Sequence, residues 1–109
     1  MEVPMADKKD WRLFRERLPK WQEDHMAKLN EEYIGILSRK DRNASENFWE
    51  LYERIRKDKR GPGVLISDLR PSNVSMHLGS LLAQGVIGEE DLEGFSEELK
   101  ESVRYLLRN

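Results

Sequence analysis

Apolar side chains recur at intervals of three and four residues along most of the chain, and this spacing constrains the fold more than any other feature. Trp11, Phe14, Leu18 and Trp21 form the first such row. Intervals of three and four place side chains on one face of an α-helix, whereas a half-buried strand would alternate with a period of two. Comparable rows continue to the C-terminus. The sequence therefore predicts an all-α fold with one shared core.

The predicted architecture is a compact single-domain bundle of five to six helices. A length of 109 residues suits one domain. We expect residues 1–7 to form a flexible N-terminal tail and residues 8–109 to form the helical domain. The predicted helical segments are 8–18, 20–38, 45–59, 72–84, 89–94 and 96–107.

Pro19 is the strongest break signal in the first half of the chain. Proline lacks a backbone N–H and disfavours helical geometry in the residue before it, here Leu18. The next apolar row, which begins at Met26, is interpreted as out of phase with the first. We therefore expect a kink or corner near Pro19.

The third predicted helix carries the strongest candidate for an exposed aromatic anchor. Ser45 is expected to cap this helix, because a hydroxyl there can accept an orphan backbone N–H. Its predicted inner face consists of four apolar residues: Phe48, Leu51, Tyr52 and Ile55. Trp49 lies at the border of that face. Since tryptophan is favoured as an interface anchor, Trp49 is the residue we expect to remain exposed.

The run of apolar residues at 64–66 is too short to classify by its period. It follows Gly61, Pro62 and Gly63, which end the third helix. Two interpretations stay open, an extended plug against the core and a single helical turn.

The composition excludes several kinds of site. The chain has no cysteine and only two histidines, His25 and His77. Disulfides, thiolate catalysis and cysteine-ligated metals are excluded, and the two histidines do not share a helix face. The sequence predicts no metal site, no bound cofactor and no catalytic residue, because nucleophile and phosphate-binding motifs are also absent. An enzyme would need acids from distant helices to converge, such as Glu31 or Glu32 with Glu50 or Glu53.

A basic segment at 54–60 is the best candidate for binding phosphate groups. Its cations lie near the end of a predicted helix, where positive charge also suits the helix dipole. They are Arg54, Arg56, Lys57, Lys59 and Arg60. Asp58 interrupts the run. The nucleic-acid hypothesis predicts salt-sensitive DNA or RNA binding that weakens when Arg56, Lys57 and Arg60 become alanine.

Two classes of function therefore remain. The leading expectation is a small, cytoplasmic, non-catalytic module for protein interaction or regulation. The alternative is a nucleic-acid-associated accessory protein that uses the basic segment at 54–60 together with Arg39, Lys40 and Arg42. No segment approaches the roughly 20 apolar residues that a membrane-spanning helix requires. The candidate partner contacts are Trp49, Arg54, Arg56, Lys57 and Arg60, and the partner is either another protein or a second copy of the chain.

Four stretches of the sequence resemble a family of short, uncharacterised bacterial helical proteins. They are WRLFRERLP at 11–19, FWEL at 48–51, PGVLI at 62–66 and DLEGFSEELK at 91–100. Members of this family are sometimes labelled multidrug transporters, a label that the absence of a spanning segment here contradicts. The resemblance implies a bacterial, cytosolic, self-contained helical domain, and it supplies no catalytic or binding residues.

Overall fold

The computed structural model describes residues 6–108, of which 72% are helical and none form a strand. The predicted all-α class is confirmed. Four α-helices are present where five to six were predicted: α1 (Lys8–Leu37), α2 (Ala44–Asp58), α3 (Val74–Ala83) and α4 (Glu97–Arg108). Pro71–Asn73 and Glu89–Leu92 form short 3-10 turns.

The predicted break near Pro19 is wrong, because α1 continues through the proline for 30 residues. Pro19 and Arg15, the residue four positions earlier, are both exposed. The carbonyl group that proline leaves without an internal donor therefore lies on the solvent side of the helix. The Phe14 and Trp21 rings stay in contact across this turn, with ring centroids 6.3 Å apart.

The two apolar rows of α1 are in phase, contrary to the prediction. Phe14, Leu18, Leu29 and Ile36 are the buried apolar residues of the helix. Their separations of four, eleven and seven residues are all close to whole numbers of helical turns. A single buried stripe thus runs the length of α1.

Replacing Pro19 with alanine is expected to raise the free energy of unfolding by about 1–2 kcal/mol. Alanine restores the missing hydrogen bond, whose loss with the ring clash costs roughly 3 kcal/mol inside a helix. About 1 kcal/mol of this gain is offset because proline also restricts the unfolded chain. Urea titration followed by circular dichroism measures the change, with Lys20→Ala as the exposed neighbouring control. An unchanged or lower stability for Pro19→Ala would show that the helix accommodates the proline at no cost.

The core lies between the N-terminal half of α1 and the helices α3 and α4. It also receives residues from the turns that connect those helices. Its buried apolar members are Phe14, Leu18, Val74, Leu78, Leu81, Ile87, Leu92, Phe95, Leu99 and Val103. None of them belongs to α2.

Polar contacts join the start of α1 to the start of α4. The Asp10 carboxylate accepts hydrogen bonds from the Ser96 backbone N–H at 2.9 Å and from the Ser96 hydroxyl at 2.6 Å. Ser96 Oγ in turn accepts from the Leu99 N–H at 3.2 Å, so it caps α4. The Arg17 side chain donates to the carbonyl oxygens of Asp91 and Glu93 at 3.0 and 2.6 Å.

Residues 1–5 of the predicted tail lie outside the described residues. The other two members of that segment have defined contacts. The Ala6 N–H donates to the Pro71 carbonyl at 3.0 Å. Asp7 caps α1 by accepting from the Asp10 N–H at 2.7 Å.

Residues 61–70 connect α2 to the core. The chain turns at 61–65, where the Gly61 carbonyl accepts from Val64 and Leu65, and then continues without regular structure. Gly63 is buried against α1, and a Cβ atom there would come within 2.4 Å of His25 Cδ2. Only glycine permits this close approach. The run at 64–66 is therefore a turn that leads into an irregular segment, and Ile66 packs on the core.

Helix α2 packs on the C-terminal half of α1 and forms an antiparallel hairpin with it. We call residues 23–60 the hairpin. With its 30-residue first helix, the molecule measures 52 × 25 × 22 Å. One long helix thus enters both the core and the hairpin, and the candidate site lies on the hairpin.

Candidate interaction surface

Polar side chains hold the two helices of the hairpin together. The Tyr33 hydroxyl donates to Asp58 Oδ2 at 2.5 Å. Arg54 forms ion pairs with Glu32 at 2.8 Å and with Asp58 at 3.6 Å, and its guanidinium lies over the Tyr33 ring. Leu29 and Ile36 are the buried apolar residues on this part of α1.

A second polar cluster closes the connection between the helices. Buried Asn47 donates to the Arg39 carbonyl at 2.8 Å and accepts from Arg42 Nε at 2.6 Å. Arg42 also pairs with Glu50 at 2.7 Å, and this contact lowers the pKa of the Glu50 carboxyl. Helix α2 begins at Ala44 with Asn43 as its cap residue, so the predicted cap at Ser45 is wrong by two positions.

The predicted inner face of α2 points to solvent. Phe48 is 60% exposed and Tyr52 is 49% exposed, and Ile55 is exposed on the same helical face. Of the four predicted inner residues only Leu51 is half-buried. The reason is that Asn47, Arg54 and Asp58 find partners on α1 and its loop, so α2 turns its polar side inward.

A matching row of residues is exposed on α1. Its members, at intervals of three and four, are Ala27, Asn30, Ile34 and Leu37, and Ile34 is 63% exposed. Ala27 and Asn30 line one groove together with Ile55 of α2. The rows of α1 and α2 therefore open on the same side of the hairpin. The row on α1 is difficult to recognise from sequence, because only two of its four members, Ile34 and Leu37, are large apolar residues.

We call the two rows together with Trp49 the hairpin face. Trp49 is 59% exposed and lies beside the α2 row. Its ring is edge-on to Phe48 at 5.1 Å and to Tyr52 at 5.8 Å between centroids. These contacts hold three aromatic side chains as one exposed cluster. The role of Trp49 as a partner contact stays a prediction.

The basic segment at 54–60 does not form one surface. Arg54 points to α1 and is paired there, and Arg56 lies 3.8 Å from Glu53. Arg56 and Arg60 line a shallow pocket beside the hairpin face with Tyr52 and Ile55. Lys57 follows Arg56 directly in the sequence and therefore lies about 100° from it around α2. The segment thus offers a cationic rim to an apolar face.

The carboxylates considered for an enzyme are dispersed along the hairpin. Glu32 pairs with Arg54, Glu50 with Arg42 and Glu53 with Arg56. Within residues 6–108, no group of three or more His, Cys, Asp or Glu side chains is arranged to hold a metal ion. No helix in this part of the chain has the length and apolar character needed to span a membrane.

Tyr33 gives the hairpin a pH dependence. Burial and the hydrogen bond to Asp58 raise the pKa of Tyr33 to about 12. The unfolded tyrosine ionises near pH 10, whereas the folded one keeps its proton. Stability from this contact is therefore fully present below about pH 10 and is lost as pH rises toward about 12.

We expect this loss of stability to be on the order of 1 kcal/mol, because solvent screening at this partly exposed site reduces the energy that corresponds to the raised pKa. Unfolding titrations across the alkaline range measure it. Tyr33→Phe removes the hydroxyl group and keeps the ring. The difference in unfolding free energy between the two proteins therefore separates the effect of this hydroxyl from that of lysines that titrate in the same range. Parallel pH profiles would contradict the assignment.

Comparison of the chain with protein-family models, curated proteins and solved structures finds no match.

Proposed function

We propose that this chain is a non-catalytic, cytoplasmic interaction module that binds a protein through the hairpin face. The observation that supports the proposal is the concentration of exposed apolar side chains on one face of a two-helix layer. Monomeric proteins rarely expose large contiguous apolar patches, and such patches usually mark sites of interaction with another molecule. The surface is also rich in aromatic rings, which are favoured interface anchors.

The ionisable groups of the hairpin support a role in contact. Glu32, Glu50 and Glu53 each form an ion pair with an arginine, so all three side chains are already engaged in contacts within the hairpin. General acid or base chemistry needs groups that converge on one bound atom. The hairpin instead offers an apolar face with a charged rim, which is the usual anatomy of a protein interface.

The nucleic-acid alternative receives less support from the same contacts. Arg54 and Arg56 are already paired with acids. Phosphate binding needs several unpaired cations on one surface. These two ion pairs leave Lys57, Lys59 and Arg60 as the cations of the basic segment that could meet phosphates, and Asp58 lies among them in the sequence.

A capture experiment with matched variants tests the proposed function. Wild-type chain, Tyr52→Glu and Met76→Glu are immobilised, exposed to lysate, and the bound proteins are identified by mass spectrometry. Met76 is 53% exposed, close to the 49% of Tyr52, and lies on α3 away from the hairpin. We expect the same bound proteins on wild type and Met76→Glu and their loss on Tyr52→Glu. Equal capture on all three would overturn the hairpin face as the binding surface.

A further inference from the structure

The hairpin is one layer of a helical bundle without its second layer. Its α1 row and its α2 row each repeat at intervals of three and four, the spacing of a coiled-coil seam. Both rows open on the same side, since Ala27, Asn30 and Ile55 share one groove. Amphipathic helices are stable in such layers when the apolar rows are covered by another element. The described chain provides no such element for this side of the hairpin.

The exposed area matches what a dimer of standard size requires. Phe48, Trp49 and Tyr52 are each about half to three-fifths exposed, which leaves on the order of 300 Å² of aromatic surface at roughly 200 Å² per ring. Ile34, Leu37 and Ile55 add about 150 Å². A standard interface buries about 800 Å² per partner, slightly more than half of it apolar. The hairpin face supplies that apolar share.

From these observations, and resting on the proposed function, we infer that the protein on the hairpin face is a second copy of this chain. The two copies are related by a two-fold axis parallel to the hairpin helices. The α1 row of each copy packs on the α2 row of the other, which gives an antiparallel four-helix bundle. Ile34 then lies between the partner's Tyr52 and the partner's Ile55, and Leu37 meets the partner's Phe48.

The charges at the base of the hairpin favour this orientation. Glu23 of α1 lines the same groove as Lys59, which directly follows α2, and Lys59 lines the neighbouring pocket together with Arg60. None of these three residues makes an ion pair among residues 6–108. In the proposed dimer each Glu23 approaches the partner's Lys59 and the partner's Arg60. Opposite charges therefore meet at the same end of the bundle.

The other two-fold arrangement places like charges together. If α2 packed on the partner's α2 in antiparallel fashion, Lys59 and Arg60 would approach the loop of the partner. That loop carries Arg39, which pairs with Asp41, Arg42, which pairs with Glu50, and Lys40, whose charge would oppose Lys59 and Arg60. Like charges at an interface oppose association and suppress the wrong partner or orientation. The pairing of α1 with the partner's α2 avoids this repulsion.

Sedimentation equilibrium tests the inference on the whole chain. Wild type and Met76→Glu are expected to reach twice the 12.9 kDa mass of one chain at micromolar concentrations. Tyr52→Glu places a carboxylate in the apolar interface twice per dimer, and we expect its dissociation constant to rise at least about 100-fold. A wild-type chain that stays monomeric to millimolar concentration overturns the inference, as does a Tyr52→Glu dimer of unchanged affinity.

Disulfide trapping tests the orientation of the two copies. Because the chain has no native cysteine, any disulfide that forms must join the introduced residues. A mixture of Ile34→Cys and Tyr52→Cys chains is expected to give the mixed disulfide dimer on oxidation. Tyr52→Cys alone is expected to give little, since identical α2 helices lie diagonally across the bundle. Efficient trapping of Tyr52→Cys with itself would overturn the orientation.

Failure of this inference is distinguishable from failure of the proposed function. A monomeric wild type that still loses a captured protein through Tyr52→Glu overturns the second copy and leaves the interaction surface standing. A monomeric wild type with equal capture on all variants overturns both.

Discussion

Phe14→Ala is expected to lower the free energy of unfolding by about 3–5 kcal/mol, the range for deleting a buried phenylalanine ring. Phe14 is fully buried and belongs to the cluster that joins α1 to α3 and α4. Its removal takes away apolar contacts and leaves a cavity that the surrounding helices can fill only in part. Since small domains are stable by roughly 5–15 kcal/mol, a large fraction of the stability is lost. Urea unfolding followed by circular dichroism measures the change.

Phe48→Ala is the matched control because it deletes the same ring from an exposed position. At chain concentrations below dimer formation, its effect on unfolding is expected to stay within about 0.5 kcal/mol. Its effect should grow with chain concentration if the copies associate through this ring, whereas that of Phe14→Ala should not. Equal losses for both variants in dilute solution would contradict the placement of the core.

Asp10→Ala is expected to cost about 2–3 kcal/mol of unfolding free energy. The Asp10 carboxylate is 2% exposed and accepts both the N–H and the hydroxyl of Ser96. Removing it leaves two donors without their partner, in a region where water has little access. It also removes the side-chain hydrogen bonds that join α1 to Ser96, the residue that caps α4.

A double-mutant cycle separates this contact from general damage. Ser96→Ala and the double variant are measured beside Asp10→Ala by the same unfolding titration. We expect a coupling energy of at least about 1 kcal/mol, because the two residues contact each other directly. Additive losses would show that the hydrogen bonds between Asp10 and Ser96 contribute little to stability.

The core half of the fold was readable from sequence because its signals agree. Phe14 and Leu18 fall in one apolar row, and Ser96 precedes acidic residues that suit a helix start. Each local preference there points to the structure that tertiary packing selects. The helical class and the last helix follow from such agreement.

The predicted break at Pro19 is wrong because the local preference of proline opposes the tertiary packing. The proline favours a break, but the buried stripe that continues from Leu18 to Leu29 keeps the two halves of α1 aligned. Burial of large apolar residues outweighs the cost of one missing hydrogen bond, and the exposed position of Pro19 keeps that cost small.

The predicted inner face of α2 is wrong because the prediction assumes that an apolar row faces inward. Phe48, Tyr52 and Ile55 have the spacing of a core stripe, and the sequence does not show that α2 has polar partners on its other side. The contacts of Arg54 and Asp58 with α1 depend on the register of the two helices, which periodicity cannot supply. The partner contact predicted for Trp49 depends on this same turn of the helix.

The continuity of α1 has a consequence for local motion. Amide protons in the N-terminal half of this helix are tied to the main cluster, so they should exchange with solvent only when the molecule opens as a whole. The amide protons of α2 belong to the hairpin, which has few buried contacts, so brief local openings of the hairpin are enough for them to exchange. Binding of a partner to the hairpin face should slow amide exchange in α2 more than in the rest of the chain. Deuterium uptake measured along the chain would therefore report assembly directly.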